Sequence, residues 1–76
     1  MDELTLGQVL KLERIKKDMK QREVAEEAGI SHTYLCDIER SRQNPSMKVL
    51  HKIASVLGIK VEDAIAKSNF NETGKN

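Results

Sequence analysis

The chain has 76 residues and a formal net charge of +1, with 38% of its residues hydrophobic and 33% charged. This length predicts one small domain, and the single cysteine excludes an internal disulfide. The sequence contains no metal-ligand cluster, signal-peptide pattern or membrane-length apolar run, so we expect a cytoplasmic protein with no cofactor and no membrane partner.

A first helix is predicted from Thr5 to about Lys17, after a flexible lead at residues 1–4. Thr5 and Gln8 have the spacing of a capping box, in which each side chain satisfies a backbone amide near the other. The apolar stripe predicted for the inner face of this helix comprises Leu6, Val9 and Leu10, with Leu12 as a further candidate.

Residues 21–40, QREVAEEAGISHTYLCDIER, have the pattern of a helix-turn-helix. Gly29 tolerates the left-handed conformation that ends the first helix of the motif, about Gln21–Ala28. Ser31 can accept hydrogen bonds from the open amides that begin the second helix, about His32–Glu39. The second helix of such a motif lies in the major groove of DNA.

This second helix has one apolar and one polar face. Its apolar stripe comprises Tyr34, Leu35 and Ile38, which we expect to pack on the core. The polar face offers hydrogen-bonding groups near the helix N-terminus, as base readout requires. The residues predicted to lie on this face are His32, Thr33, Cys36, Asp37 and Arg40.

Two more helices are predicted after a polar loop at residues 40–45. Ser46 caps the fourth helix, which is apolar on more than one face and ends at Gly58. The last helix covers about Val61–Lys67. We therefore predict an all-α fold, a compact bundle of five short helices.

The predicted domain covers residues 5–67, and a polar tail follows at residues 68–76. Positive charge within the domain is uneven, since residues 11–22 contain six lysines and arginines against two acids, and residues 40–52 contain four cations and no acid. This distribution predicts a basic face suited to nucleic acid. Charge alone leaves open a second interpretation, in which these side chains form an evenly solvated surface.

Several of these segments together resemble the phage-repressor-like helix-turn-helix family, also described as Cro/cI or XRE-type. The matching pieces lie within about Leu6–Ile65 and are Gln21 with Ala25 and Gly29, then SHTYLCDIER, then RQNPS leading into VLHKIASVLGI. The resemblance implies a lambda-repressor-like domain that binds double-stranded DNA as a homodimer on a near-palindromic site. TYLCDIER and RQNPS also resemble the controller proteins of restriction–modification systems.

The resemblance also implies which residues contact DNA. Gln21 would contact a phosphate or a base edge, and residues 42–46 would bind phosphates. His32, Thr33 and Asp37 would lie where the family reads bases. The complete predicted set is Lys17, Gln21, Ser31, His32, Thr33, Asp37, Arg40, Arg42, Asn44 and Ser46.

Each residue of this set has a second interpretation. His32 could donate a hydrogen bond to a guanine or a phosphate, or it could be an ordinary surface histidine. The Asp37 carboxylate would be repelled by phosphates unless it accepts from cytosine N4 or is neutralised by Arg40 or Arg42. The remaining residues could be solvent-exposed side chains or could serve turns and caps.

The family pattern also bears on the stability of the fold. Arg14 and Glu39 match two positions that commonly form a partly buried ion pair between the first and third helices. Three residues depart from the pattern, since Lys20 and Lys60 replace the usual capping residues and Glu13 replaces a frequent leucine.

We predict from these features a sequence-specific DNA-binding transcriptional regulator that is homodimeric and has no catalytic activity. The sequence shows no nucleophile–base pair or phosphate loop that would support an enzyme. The alternative is a protein-interaction module of the same fold, such as an antitoxin that binds a toxin.

The dimer interface is expected on the fourth and fifth helices, with Phe70 adding to it. The alternative is that these apolar side chains serve the core of the monomer. The residues predicted for the interface are Ile53, Leu57, Val61 and Ile65.

Overall fold

The computed structural model describes residues 4–68, which form five α-helices joined by short connections. The helices are α1 (Leu6–Lys16), α2 (Gln21–Ala28), α3 (His32–Glu39), α4 (Met47–Leu57) and α5 (Val61–Lys67). No strand occurs within these residues, which confirms the predicted all-α bundle. The predictions for residues 1–3 and 69–76, including the role of Phe70, lie outside the described part of the chain.

Local hydrogen bonds explain why the helices begin where they do. The Gln8 amide donates to Thr5 Oγ1 over 3.1 Å, and the Thr5 amide donates to Gln8 Oε1 over 2.9 Å, so the predicted capping box is present. The side chains of Ser31 and Ser46 accept from backbone amides at the starts of α3 and α4. Neither Lys20 nor Lys60 caps its helix through a side chain.

Two glycines in the left-handed conformation end α2 and α4. Gly29 has a φ of 74° and Gly58 a φ of 71°, values that L-residues with a side chain adopt only with strain. The chain can therefore reverse direction within a few residues after each helix. The tight reversal at Gly29 places α3 directly against α2, as a helix-turn-helix requires.

The core is a single apolar cluster to which every helix contributes. The amphipathic α4 packs against α1, α2 and α5, which makes it the centre of the bundle. The buried hydrophobic residues of the cluster are Leu6, Val9, Leu10, Val24, Ala25, Ala28, Leu35, Ile38, Leu50, Ile53, Ala54, Leu57, Val61 and Ala64.

Leu12 is not part of this core, so the prediction that extended the inner stripe of α1 to this residue is wrong. Its side chain is 44% exposed and lines, with Leu4, a groove of about 260 Å³ beside Lys67. Leu12 lies on the flank of α1, whereas Leu6 and Val9 are buried.

The contact between α1 and α3 depends on Gly7, which the sequence pattern did not single out. A Cβ at this position would lie 1.9 Å from the backbone oxygen of Ile38. Since a backbone atom cannot move aside as a flexible side chain can, any other residue would push α1 away from the end of α3. Gly7 therefore sets how closely these two helices approach.

Glu13 is buried and connects the first helix, α1, to the last helix, α5. It is the acid at a position where leucine is frequent. Its Oε2 accepts from Lys67 Nζ of α5 over 3.1 Å and from Lys16 Nζ over 3.3 Å. The hydrogen bond from Lys67 is the main reason that the pKa of Glu13 lies below its usual value, and burial of the carboxylate opposes this shift.

Glu13 should make the stability of the fold depend on pH. A carboxylate whose pKa is lowered by folding stabilises the protein above its unfolded pKa of about 4.3, and this contribution is lost as pH falls through the folded pKa. Urea unfolding at about pH 6 and about pH 3 should therefore show a larger loss of unfolding free energy for the wild type than for Glu13→Gln.

Glu26→Gln is the matched control, because Glu26 is an exposed acid on α2 that lies outside the first turn of its helix. It should lose as much unfolding free energy over this pH range as the wild type. Equal pH dependence of Glu13→Gln and the wild type would contradict the role of Glu13.

Candidate nucleic-acid interface

The N-terminal end of α3 presents polar side chains to solvent. Ser31, His32 and Thr33 are all exposed, while Leu35 and Ile38 on the opposite face are completely buried. Ser31 Oγ accepts from the Tyr34 amide over 3.0 Å, so one of its lone pairs caps the helix. Its hydroxyl proton is still available to donate to a ligand. The open amides of this helix end also favour a nearby anion.

A largely buried ion pair between Arg14 and Glu39 holds the other end of α3. Arg14 Nε donates to Glu39 Oε2 over 2.7 Å and Nη2 donates to Oε1 over 3.0 Å, which makes the pair bidentate. The side chains are only 12% and 2% exposed. Arg14 Nη1 also donates to the backbone oxygen of Met19 over 2.8 Å, so one guanidinium connects α1, α3 and the connection before α2.

A chain of hydrogen bonds leads from this ion pair to the exposed end of α3. Gln21 Nε2 donates to Glu39 Oε1 over 2.9 Å, and Gln21 Oε1 lies 2.9 Å from His32 Nε2. Gln21 is thus held between two residues of α3 and is half-buried. The sequence predicts Gln21 and His32 in one set of DNA contacts and Glu39 in an ion pair, but it contains no signal for the hydrogen bonds that join the three residues.

Asp37 is half-buried beside the loop that follows α3. Its backbone oxygen accepts from the Arg42 amide over 2.8 Å, which helps to close the loop. Within residues 4–68 its carboxylate forms no ion pair with Arg40 or Arg42.

The loop between α3 and α4 is exposed and carries two arginines. Ser41 lies between Arg40 and Arg42 with a φ of 65°, so the chain turns sharply there. Ser41 Oγ lies 2.7 Å from Thr5 Oγ1, which ties the loop to the N-cap of α1. Asn44 is exposed in the same loop, and Ser46 follows as the cap of α4.

Lys17 lies apart from this edge of the molecule. Its Nζ is 3.1 Å from the place that a Cβ on Gly58 would occupy, so the ammonium lies beside the C-terminal end of α4. Ser46 is at the opposite end of α4, roughly 18 Å away along the helix axis. The structure therefore does not group Lys17 with Ser46, whereas Lys20, which the predicted set omitted, is exposed directly beside Gln21.

Two residues of the predicted dimer interface are inaccessible in the monomer. Ile53 and Leu57 are 0% exposed in the core, so they cannot contact a second copy, and the prediction is corrected for them. Val61 is 8% exposed and contributes little surface. Ile65 is only half-buried and remains accessible.

No helix within residues 4–68 is long and apolar enough to cross a membrane. Residues 4–68 contain no group of three or more histidine, cysteine or acidic side chains that could hold a metal ion. Cys36 is a half-buried free thiol on α3.

Comparison with known protein families finds one that matches most of the chain. A family model described as helix-turn-helix matches residues 10–63, which include α2, α3, α4 and their connections. The match covers more than half of the 76 residues. It includes both Arg14 and Glu39.

Individual proteins show the same similarity. The chain is 41% identical over 67 residues to the immunity repressor protein of Bacillus phage phi105. The matched segment covers 88% of this chain and 46% of the repressor. The chain thus spans about half the length of that relative.

Solved structures agree with this. The chain is similar to SinR, the master regulator for biofilm formation, in a structure with DNA, with 39% identity and a TM-score of 0.77. The similarity covers 80% of this chain and 98% of the SinR chain in that structure. It is also similar to the restriction–modification controller protein C.AhdI from Aeromonas hydrophila, with 28% identity, a TM-score of 0.76 and coverage of 79% and 91%.

Proposed function

The chain belongs to the helix-turn-helix family, and from this premise we propose that it is a sequence-specific DNA-binding transcriptional regulator. The observation that supports this most directly is the exposed N-terminal end of α3, which the Arg14–Glu39 ion pair and the Gln21 hydrogen bonds hold against α1 and α2. In this role α3 enters the major groove and presents its first residues to base edges.

Base readout in this proposal comes from the start of α3. Thr33 is exposed and can offer its hydroxyl to a base or its methyl group to thymine. His32 lies beside it and is oriented by Gln21. In this proposal the half-buried Asp37, one turn further along, accepts from a cytosine amino group.

Phosphate contacts in this proposal come from both sides of α3. Arg40, Arg42 and Asn44 are exposed in the loop that leads to α4, and the capped N-terminus of α4 at Ser46 favours an anion. Lys20 is exposed on the other side, at the start of α2. These contacts set the orientation of α3 on the duplex and carry no base specificity.

Thr33→Ala and Arg42→Ala should affect DNA binding in different ways. We expect Thr33→Ala to relax the preference at one base position by about 1–3 kcal/mol, because it removes a base contact. Arg42→Ala should weaken binding to all DNA sequences alike. It should also reduce the slope of log affinity against log salt concentration by about 1, because one phosphate contact is lost. Fluorescence anisotropy with DNA sites selected from a random library, at several salt concentrations, measures both effects.

Lys17→Ala is the matched control for Arg42→Ala, because it removes a cation that lies beside Gly58. Its salt dependence should equal that of the wild type. Binding by the wild type that ignores sequence and salt, or recovery of one stoichiometric protein partner without DNA affinity, would overturn the proposed function.

We further propose that the chain acts as a homodimer on a near-palindromic site. With Ile53 and Leu57 buried, the apolar surface left at the C-terminal end of the domain consists of Val56, Ile59 and Ile65, which pack against the core and stay half-exposed. Contact between two copies through this surface would present two α3 helices about 34–36 Å apart, one turn of DNA.

Ile65→Glu should dissociate this dimer, because it places a charge in the centre of an apolar contact. Sedimentation velocity should then show a monomer, with helical circular dichroism like that of the wild type. Ile15→Glu, a control on α1 where the isoleucine is 52% exposed, should stay dimeric. A monomeric wild type at about 10 μM, or dissociation by Ile15→Glu alone, would contradict the interface.

A further inference from the structure

The hydrogen bonds that join Glu39, Gln21 and His32 have a fixed direction. The Glu39 carboxylate is paired with the Arg14 guanidinium and only accepts hydrogen bonds. The group of Gln21 that lies 2.9 Å from Glu39 Oε1 is therefore its amide nitrogen, which donates. The opposite orientation would place two oxygen acceptors against each other.

The orientation of Gln21 determines the protonation of the His32 ring. With its nitrogen directed at Glu39, Gln21 offers only its oxygen to His32 Nε2 over 2.9 Å. An amide oxygen accepts but cannot donate, so His32 Nε2 must carry a proton. In the neutral ring the proton on Nε2 leaves Nδ1 without one, and Nδ1 is then a hydrogen-bond acceptor.

His32 Nδ1 forms no hydrogen bond within the described residues. His32 is an exposed residue at the first position of α3, so Nδ1 is available to a ligand. The ion pair that fixes the polarity is only 12% and 2% exposed, so solvent does not compete with it readily. The Gln21–His32 hydrogen bond lies at the exposed end of this chain of contacts, and while it is formed Nδ1 is an acceptor before DNA binds.

We propose that His32 reads the operator as a hydrogen-bond acceptor through Nδ1 and selects a base with an exocyclic amino group, a role that rests on the proposed DNA-binding function. In the major groove these groups are cytosine N4 and adenine N6, whereas guanine presents only acceptors there. This role differs from the alternative expected from sequence, in which His32 donates a hydrogen bond to a guanine or a phosphate. Gln21 acts as the positioning residue, because its amide nitrogen donates to Glu39 and its oxygen accepts from His32 Nε2. These two hydrogen bonds fix which ring nitrogen carries the proton.

The ring can be examined first in the full-length protein without DNA. Nitrogen-15 NMR at about pH 8 should show His32 protonated at Nε2 and unprotonated at Nδ1. Gln21→Met, which keeps the side-chain length but removes both hydrogen bonds, should give a mixture of the two tautomers. The signals of His51 are assigned with His51→Gln. A proton on His32 Nδ1 in the wild type would overturn the inference.

The reading role is then measured on DNA sites that the wild type selects from a random duplex library at about pH 8. At one position in the site the wild type should prefer adenine or cytosine over guanine on the same strand by about tenfold. His32→Ala should lose this preference. Gln21→Met should reduce it, since a freed ring can also donate. Thr33→Ala should change a different position.

The outcomes separate this inference from the proposed function. A wild type that enriches no sequence contradicts the DNA-binding function and the reading role together. A wild type that enriches a clear site, with base preferences unchanged in His32→Ala, contradicts the reading role alone. A preference for guanine that disappears in His32→Ala shows a donating ring and overturns the inferred polarity.

Discussion

The bidentate pair between Arg14 and Glu39 is the interaction on which the arrangement of the first three helices depends. It joins α1 to α3, and the third contact of Arg14, to the backbone oxygen of Met19, adds the connection to α2. Taking two charges out of water is expensive, so such a pair can add little net stability compared with apolar residues of the same volume. Removing one partner, however, leaves a buried charge unpaired. We therefore assign it a role in fixing one geometry.

The proposed function depends on this geometry because α3 is held at both ends. At its C-terminal end, Gly7 lets α1 approach the backbone of Ile38, and Glu39 accepts from Arg14 and Gln21. At its N-terminal end, Ser31 caps the helix and Gln21 contacts His32. A helix that reads bases needs such support, since hydrogen bonds to base edges tolerate errors of only a few tenths of an ångström.

Helix positions could be predicted from the sequence because their signals are local. The capping box at Thr5, the serine caps and the glycines at the ends of α2 and α4 act within a few residues, and the observed helices begin and end beside them. The packing role of Gly7 escaped prediction, because the group that it accommodates belongs to a helix 31 residues away. Apolar spacing likewise does not distinguish core residues from interface residues. It predicts Ile53 and Leu57 at the dimer interface, whereas both side chains are buried in the core of the monomer. The Gln21–His32 contact depends on the angle between two helices, which no local pattern encodes.

A double-mutant cycle on Arg14→Met and Glu39→Gln, followed by urea unfolding, tests most directly whether the ion pair fixes this geometry. We expect each single variant to lose about 3–5 kcal/mol of unfolding free energy, because each leaves a largely buried charge without its counter-charge, and the double variant to lose clearly less than the sum of the two. DNA affinity should fall in parallel, even though neither residue lies on the exposed face of α3. Single losses below about 1 kcal/mol that add up in the double variant would show an ordinary surface pair and would contradict this role.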